Sequence, residues 1–299
     1  MANIKTLSTY KYDYMQAKPT SDFSDVKPVL SYYTEYNSNG HLIVEIIYKN
    51  DGSIEQKFQY KYDEKGLLIE QLLINDEGFT DEKKSFEYNE KNLLVKEFLF
   101  YQDETFDTIT YFYDDQENLL KKETFDYDGE LESRKEMIYE KGNKLSETNF
   151  DSTGNVLTKM SYVYNEKGYE TEVIYYDAID DKTIRTEYIY DENGRKSETL
   201  NYNSNNVLIE HNIYSYNEKG ELVKLIEDDQ FRRSTTIFTY DEKGNMTEQL
   251  ETNETGELNQ KLTRKFNENN NLTEVAISLD SHGKGLNQNY VIQYVYEFY

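Results

Sequence analysis

Aromatic side chains stand at alternate positions just ahead of a recurrent turn sequence: Tyr60 and Tyr62, Phe86 and Tyr88, Tyr111 and Tyr113, Tyr162 and Tyr164, Tyr188 and Tyr190, Tyr214 and Tyr216, Phe238 and Tyr240. The positions around them are mostly polar, as at Gln59, Lys61, Ser85, Glu87, Ser161, Glu187 and Thr239. A period of two belongs to a strand that is covered on one face. Each aromatic pair runs into Tyr-(Asp/Asn)-x-x-(Gly/Asn), as in YKYDEKG (60–66), YVYNEKG (162–168) and YSYNEKG (214–220). The residue that ends each run goes from Tyr36 through Tyr62, Tyr88, Tyr113, Tyr139, Tyr164, Tyr190, Tyr216 and Tyr240 to Phe266, at separations of 24–26 residues. Ten copies so evenly spaced are the signature of a repeat architecture.

Each unit holds a second turn signal about half a period later: NDG (50–52), NDEG (75–78), DSTG (151–154) and NETG (253–256). Gly supplies a positive φ at these places, and Asp or Asn braces the turn through its own backbone. Both prolines, Pro19 and Pro28, precede the first full unit, so nothing interrupts the strands after it. Two short turns per repeat predict antiparallel neighbours in sequence order. The fold class expected is all-β: an antiparallel meander of about twenty strands from ten hairpin repeats of about 26 residues. Open sheets of that width curl, so a curved or spiral sheet follows, a half-pipe or barrel-like shell.

Counted from the turn Gly or Asn, position two is Leu42, Leu68, Leu94, Leu222, Met246 and Leu272, broken by Glu170 and Lys196, and position six is Ile46, Leu72, Phe98, Ile174, Leu200, Ile226, Leu250 and Ala276. Even offsets along a regular strand put both columns on one face. A bulge-type turn sets Tyr62 opposite Leu68 and joins the aromatic ladder to that apolar face, which leaves the other face to solvent. The turn Asp114–Asn118 reads as one residue long and Glu140–Gly142 as one residue short. Residues 1–30 read as a cap and Pro-containing linker with a partial repeat at Tyr10–Asp13. Residues 31–299 read as the repeat array, ending in a closing strand over Tyr290–Tyr299.

Composition narrows the chemistry. The chain is 36% hydrophobic but 15% aromatic, too rich in rings for a disordered polymer. Its formal net charge of −25 repels phosphate backbones and anionic lipids and favours a basic partner, so neither nucleic acid nor a membrane is expected as a ligand. The absence of Cys removes thiolate chemistry. No apolar run has the length of a signal peptide or a membrane span, which leads to a cytoplasmic expectation.

The recurrent Y-x-Y-(D/N)-x-x-G, best seen in YIYDENGR (188–195), resembles the YD repeat of bacterial Rhs proteins over nearly the whole chain. That resemblance implies a spiralling β-sheet shell of the kind that can enclose a C-terminal toxin, with carbohydrate binding described for some members. The period here is longer than that of the YD repeat. The chain also has no Asp-Pro pair for self-cleavage and no non-repeat C-terminal domain to be the toxin. The resemblance therefore implies a solo repeat array.

No catalytic constellation emerges. His41, His211 and His282 have neither metal-ligand nor triad spacing. No acidic turn, Asp180-Asp181 and Asp228-Asp229 included, belongs to a calcium loop. No cofactor, metal or catalytic residue is expected. The candidate binding residues are the ladder tyrosines Tyr60, Tyr62, Tyr88, Tyr111, Tyr113, Tyr162, Tyr164, Tyr188, Tyr190, Tyr214, Tyr216 and Tyr240, with cross-strand packing as the competing role for each. The functional expectation is a non-enzymatic protein that binds a macromolecule. In its most concrete form it is a bacterial immunity protein, or antitoxin, neutralising a basic toxin; the alternative is carbohydrate or cell-envelope binding by the Tyr-rich face.

Overall fold

Every described element is a β-strand, 22 in all, and all belong to one antiparallel sheet. The computed structural model describes residues 3–14, 27–102, 104–282 and 287–299. The expected linker around Pro19 and the glycines Gly283 and Gly285 lie outside the described residues. Strands are numbered in chain order and run 7–11 residues, as two turns per repeat require.

The chain divides into two compact units, one made of Met1–Gln59, Ile74–Phe79 and Asn212–Tyr299 and the other of Tyr60–Leu73 and Thr80–His211. In the first unit, β1 (Ile4–Tyr14) lies between β2 (Val29–Tyr36) and β22 (Gln288–Phe298) and is antiparallel to both. The partial repeat at Tyr10–Asp13 and the closing strand are thus paired with each other, Tyr12 facing Val291 and Asp13 facing Tyr290. Val291, opposite both Tyr12 and Ala276, is fully buried in that seam. In the second unit, β6 (Thr80–Tyr88) through β15 (Lys196–Tyr202) follow one another as an uninterrupted meander.

Most turns of both classes share one construction. At the head of the turn, an Asp or Asn carboxyl or amide oxygen accepts from the backbone N–H groups two and four residues on. Asp63 accepts from Lys65 and Leu67 at 2.9 and 2.8 Å, and Asn165 accepts from Lys167 and Tyr169, both at 3.0 Å. The minor turn at Asp151 is braced in the same way, and the side chains of Asn155 and Thr153 also donate to it, holding its carboxyl down at about 2. Asp114 follows suit, with Glu117 in the left-handed position at φ +68° where other copies have Gly. The Asp114–Asn118 turn is therefore of ordinary length, contrary to the sequence expectation; Glu117 disguised it. The Glu140–Gly142 turn is indeed short, with Lys141 and Gly142 both at positive φ and Glu140 facing Asn143. That is a two-residue hairpin loop.

The bulge is present and sets the register. Tyr36 faces Leu42, Tyr88 faces Leu94, Tyr113 faces Leu119, Tyr240 faces Met246 and Phe266 faces Leu272, each with a register shift immediately beyond. The shift also corrects the assignment of faces. In β13 (Glu170–Asp177), Glu170 faces Tyr164, Glu172 faces Val163, Val173 faces Tyr162 and Ile174 faces Ser161. The extra residue inverts the parity of the strand. Position five, not position six, joins the tyrosines, and the apolar column from Ile46 to Ala276 lies on the opposite face. Most well-buried side chains share the tyrosine face, among them Met137, Val173, Thr199, Val275, Ile277, Thr34 and Thr236. The opposite face mixes the position-six apolar column with ion pairs such as Lys265–Glu274 and Lys261–Glu248, both at 2.7 Å. Neither face is purely apolar or purely polar.

A bulge leaves backbone groups outside the ladder, and in several repeats the turn-proximal tyrosine meets that need. The hydroxyl of Tyr88 donates to the carbonyl of Leu68, Tyr113 to Leu94, Tyr164 to Lys144, Tyr190 to Glu170, Tyr240 to Leu222 and Tyr296 to Leu272, at 2.6–2.9 Å. Each acceptor sits at position two of the preceding repeat. Replacing Tyr190 by Phe removes this donor and strands the Glu170 carbonyl, at an expected cost of about 1 kcal/mol. The urea midpoint of Tyr190→Phe against wild type measures it, and an unchanged midpoint would mean that the bond contributes nothing.

Gly194, at φ +78°, is covered by the Tyr169 ring: a Cβ there would fall 2.8 Å from Tyr169 Cζ and closer still to its hydroxyl. Gly154, at φ +89°, meets nothing within 4 Å. Gly154→Ala should therefore cost only the left-handed strain of about 1–2 kcal/mol. Gly194→Ala should cost more, and the excess should vanish in a Tyr169→Ala background when all four proteins are unfolded in urea.

Candidate functional site

The twelve sequence-singled tyrosines are distributed along the ladder, one or two per repeat, and do not converge on a single pocket. Tyr88, Tyr113, Tyr164, Tyr190 and Tyr240 have their hydroxyls on backbone carbonyls. Burial pushes all five phenols above their usual range. The first tyrosine of a pair meets charged side chains instead. Tyr111 donates to Glu97 at 3.0 Å with Lys122 over its ring, and burial, then the Glu97 charge, raises its phenol. Lys144 lies over Tyr162 at 4.8 Å and Lys196 over Tyr188 at 3.4 Å. Tyr60, Tyr62, Tyr214 and Tyr216 occupy the equivalent ladder positions. Tyr188 and Tyr190 line a common depression, with Tyr169, Ile189 and Lys167; there Tyr169 stacks on Tyr190 at 5.1 Å.

The histidines stand apart from one another in the chain's hydrogen bonding. His211 Nε2 is 2.7 Å from Glu198 Oε2, and His282 Nε2 is 2.9 Å from Asn259 Oδ1. Among the described residues, no group of three His, Asp or Glu side chains is placed to hold a metal ion. Among the described residues, no helix is long and apolar enough to cross a membrane.

A different set of aromatics comes together where the sequence reading did not look. At the minor-turn end of the hairpin formed by β7 (Leu94–Phe100) and β8 (Phe106–Tyr113), Phe100 faces Phe106 across the ladder with ring centroids 5.1 Å apart. Phe98 meets Phe106 edge-on at 5.5 Å. Beside this cluster lie two adjoining depressions that share Tyr101 and Gln102. One is lined by Asp81, Lys83 and Glu104, with Lys83 Nζ 5.1 Å over the Phe100 ring. The other is lined by Asp107, Asp126, Tyr127 and Glu132. Tyr101, Phe106 and Tyr127 are 44, 40 and 62% exposed. The signal for this site was a departure from the repeat: Tyr101 heads its minor turn where most copies have Asp or Asn, and Tyr127 follows Asp126 inside the next.

Tyr101 donates to the Asp107 carboxylate. That bond first, then desolvation and the charges of Asp107, Glu132 and Glu82, push its phenol up to about 12. The ring thus sits in a locally negative field. Replacing Asp107 by Asn should lower the Tyr101 pKa towards the ordinary value of about 10. Phenolate absorbance during an alkaline titration, with Tyr101→Phe identifying the signal, reads the shift; no change would mean that the pair is not formed.

No family model matches this chain, and no curated protein matches it. Among solved structures it aligns with a TcdB2–TccC3–Cdc42 complex at 13% identity and a TM-score of 0.29, over 92% of this chain and 17% of that one. It aligns with a Photorhabdus luminescens Tc holotoxin pore at 14% identity and a TM-score of 0.27, over 92% of this chain and 18% of that one. A porin-like protein from Bacteroides uniformis aligns at 12% identity and a TM-score of 0.33, over 98% of both chains. The chain spans less than a fifth of the length of the toxin-complex chains it resembles. Scores this low describe a coarse likeness among β-repeat chains and say nothing of function.

Proposed function

We propose that this chain is a non-enzymatic β-repeat protein that captures a basic protein partner. In its concrete form it is a solo YD-repeat-like immunity protein, or antitoxin, that masks a basic toxin in the bacterial cytoplasm. The observation that carries the reading is the negative charge of −25 joined to exposed aromatic side chains beside carboxylates, as at Tyr101 and Tyr127. Charge of one sign raises encounter rates with a partner of the other, and aromatic rings supply contact area at low entropic cost. The ladder tyrosines contribute by holding the sheet in register, since their hydroxyls are committed to backbone or to neighbouring carboxylates. The exposed Tyr169 ring, beside the half-buried Tyr188 and Tyr190, also suits the face of a sugar, which keeps carbohydrate as the second reading.

Purification of the tagged chain from its native host separates the two. A stoichiometric basic protein that is released as salt is raised, and whose toxicity the chain suppresses on co-expression, is the expected result. Glycan binding without any such protein would overturn the first reading in favour of the second.

A further inference from the structure

In the unit that contains Thr80–His211, the residue between the last two ladder positions before each major turn is Phe112, Ile138, Val163 and Ile189 in four successive repeats. They lie on β8, β10 (Leu131–Glu140), β12 (Val156–Tyr164) and β14 (Lys182–Tyr190). Each stands between two residues of the tyrosine face and so belongs to the opposite one. They are 38, 60, 48 and 44% exposed. The same position is Lys61, Glu87, Ser215, Thr239 and Lys265 in other repeats, so the fold has no need of an apolar side chain there. Single exposed apolar residues are ordinary; four at one register position in consecutive repeats form a surface.

Strand register sets their arrangement. Phe112 faces Lys121 on β9 (Leu119–Phe125), which faces Glu136, two residues short of Ile138. Ile138 faces Ser146 on β11 (Asn143–Asp151), which faces Ser161, two residues short of Val163. Val163 faces Glu172, which faces Glu187, two residues short of Ile189. Each step therefore crosses two strands and advances two residues, about 12 Å on the diagonal, and the four residues make a belt about 35 Å long. At Ile189 the belt opens into the depression lined by Tyr169, Thr171 and Tyr188. Phe112 has Lys121 4.1 Å over its ring, which leaves Ile138, Val163 and Ile189 as the bare part.

The belt runs beside the edge formed by the major turns. In these four turns the exposed side chains of Asp115, Glu117, Glu140, Glu166 and Glu192 outnumber those of Lys141 and Lys167. We propose that the belt receives the basic protein partner through apolar side chains flanked by lysine or arginine, the apolar ones packing on Ile138, Val163 and Ile189 and the cations meeting the carboxylates of the turn edge. Charge decides among the occupants. A second copy would set one acidic edge against another, each chain carrying a net −25, and the same field repels anionic lipid. Resting on the basic-partner reading, this assignment adds the surface on which that partner is held.

The test is calorimetric titration of the full chain with a capped leucine–lysine peptide of about fourteen residues, its leucines at helical spacing, and with a counterpart of equal charge in which serine replaces leucine. Ile138→Thr, Val163→Thr and Ile189→Thr together give the belt the polar, strand-forming residue that Thr239 supplies in its own repeat. A control variant carries Val156→Thr, Ile179→Thr and Val207→Thr, three exposed apolar side chains at minor-turn ends of the same unit. Wild type should hold the leucine peptide about tenfold more tightly than the serine peptide; the belt variant should lose that preference, and the control should keep it to within about twofold. Ile138→Thr alone, at the most exposed of the four, should already weaken leucine-peptide binding about threefold. No preference in wild type, or equal loss in both triple variants, overturns the belt, while the basic-partner reading stands or falls separately with the salt-released protein from the host. A dimer in sedimentation that the belt variant abolishes makes a second copy the occupant and overturns the assignment. So does flotation of wild type, but not of the belt variant, with phosphatidylcholine vesicles.

Discussion

One hydrogen bond, repeated along the chain, connects local structure to the stacking of units: the tyrosine hydroxyl that reaches the position-two carbonyl of the preceding repeat. The braced turn makes a bulge, and the bulge takes a carbonyl out of the ladder. Left without a donor, that carbonyl would carry the penalty of an unpaired half-buried backbone group. Tyr88, Tyr113, Tyr164, Tyr190, Tyr240 and Tyr296 each supply the donor from one repeat further on. Phenylalanine would pack as well but could not reach with a polar atom. The interaction explains why the turn-proximal aromatic is so often tyrosine, and why the spacing between copies is held so evenly.

The same bulge governs how charge and apolar surface are distributed. By inverting strand parity it moves the position-six column from the tyrosine face to the opposite one, where it lies among carboxylates and lysines. Apolar cover is thus divided between two faces. Among the described residues, few hydrophobic side chains are fully buried, and small polar ones such as Thr34, Ser234 and Thr236 fill several of the tightest places. A chain with a core this thin relies on continuous strand pairing, and the junction of β1 with β22 extends that pairing across the chain ends. Its net charge of −25 opposes the approach of one exposed sheet to another.

The repeat was fully legible as sequence, but the aromatic depression at the β7–β8 hairpin was not. Searching for what recurs draws attention to residues that the fold itself requires. Tyr113 and Tyr190 stand out because they are repeated, and they are repeated because a hydroxyl at that place meets a carbonyl of the preceding repeat. Tyr101 occurs where most copies have a turn-bracing Asp or Asn, and Tyr127 stands inside a turn, so both vanish in an alignment of units. In a repeat protein the departures from the pattern are the better place to look for recognition.

The sequence alone determined the all-β class, the two turns per repeat, the bulge that sets Tyr36 against Leu42 and its equivalents, and the strong negative charge. These follow from local chemistry: Gly and Asn at positive φ, Asp and Asn bracing their own turns, and a period of two. The ordinary length of the Asp114–Asn118 turn, with Glu117 in the glycine position, needed the backbone to be seen. Only the tertiary structure decided which carbonyl each tyrosine meets, on which face the position-six column falls, and that Tyr12 pairs with Val291. Each depends on summing register shifts across neighbouring strands or on contacts between residues hundreds of positions apart. No periodicity within one strand carries that information.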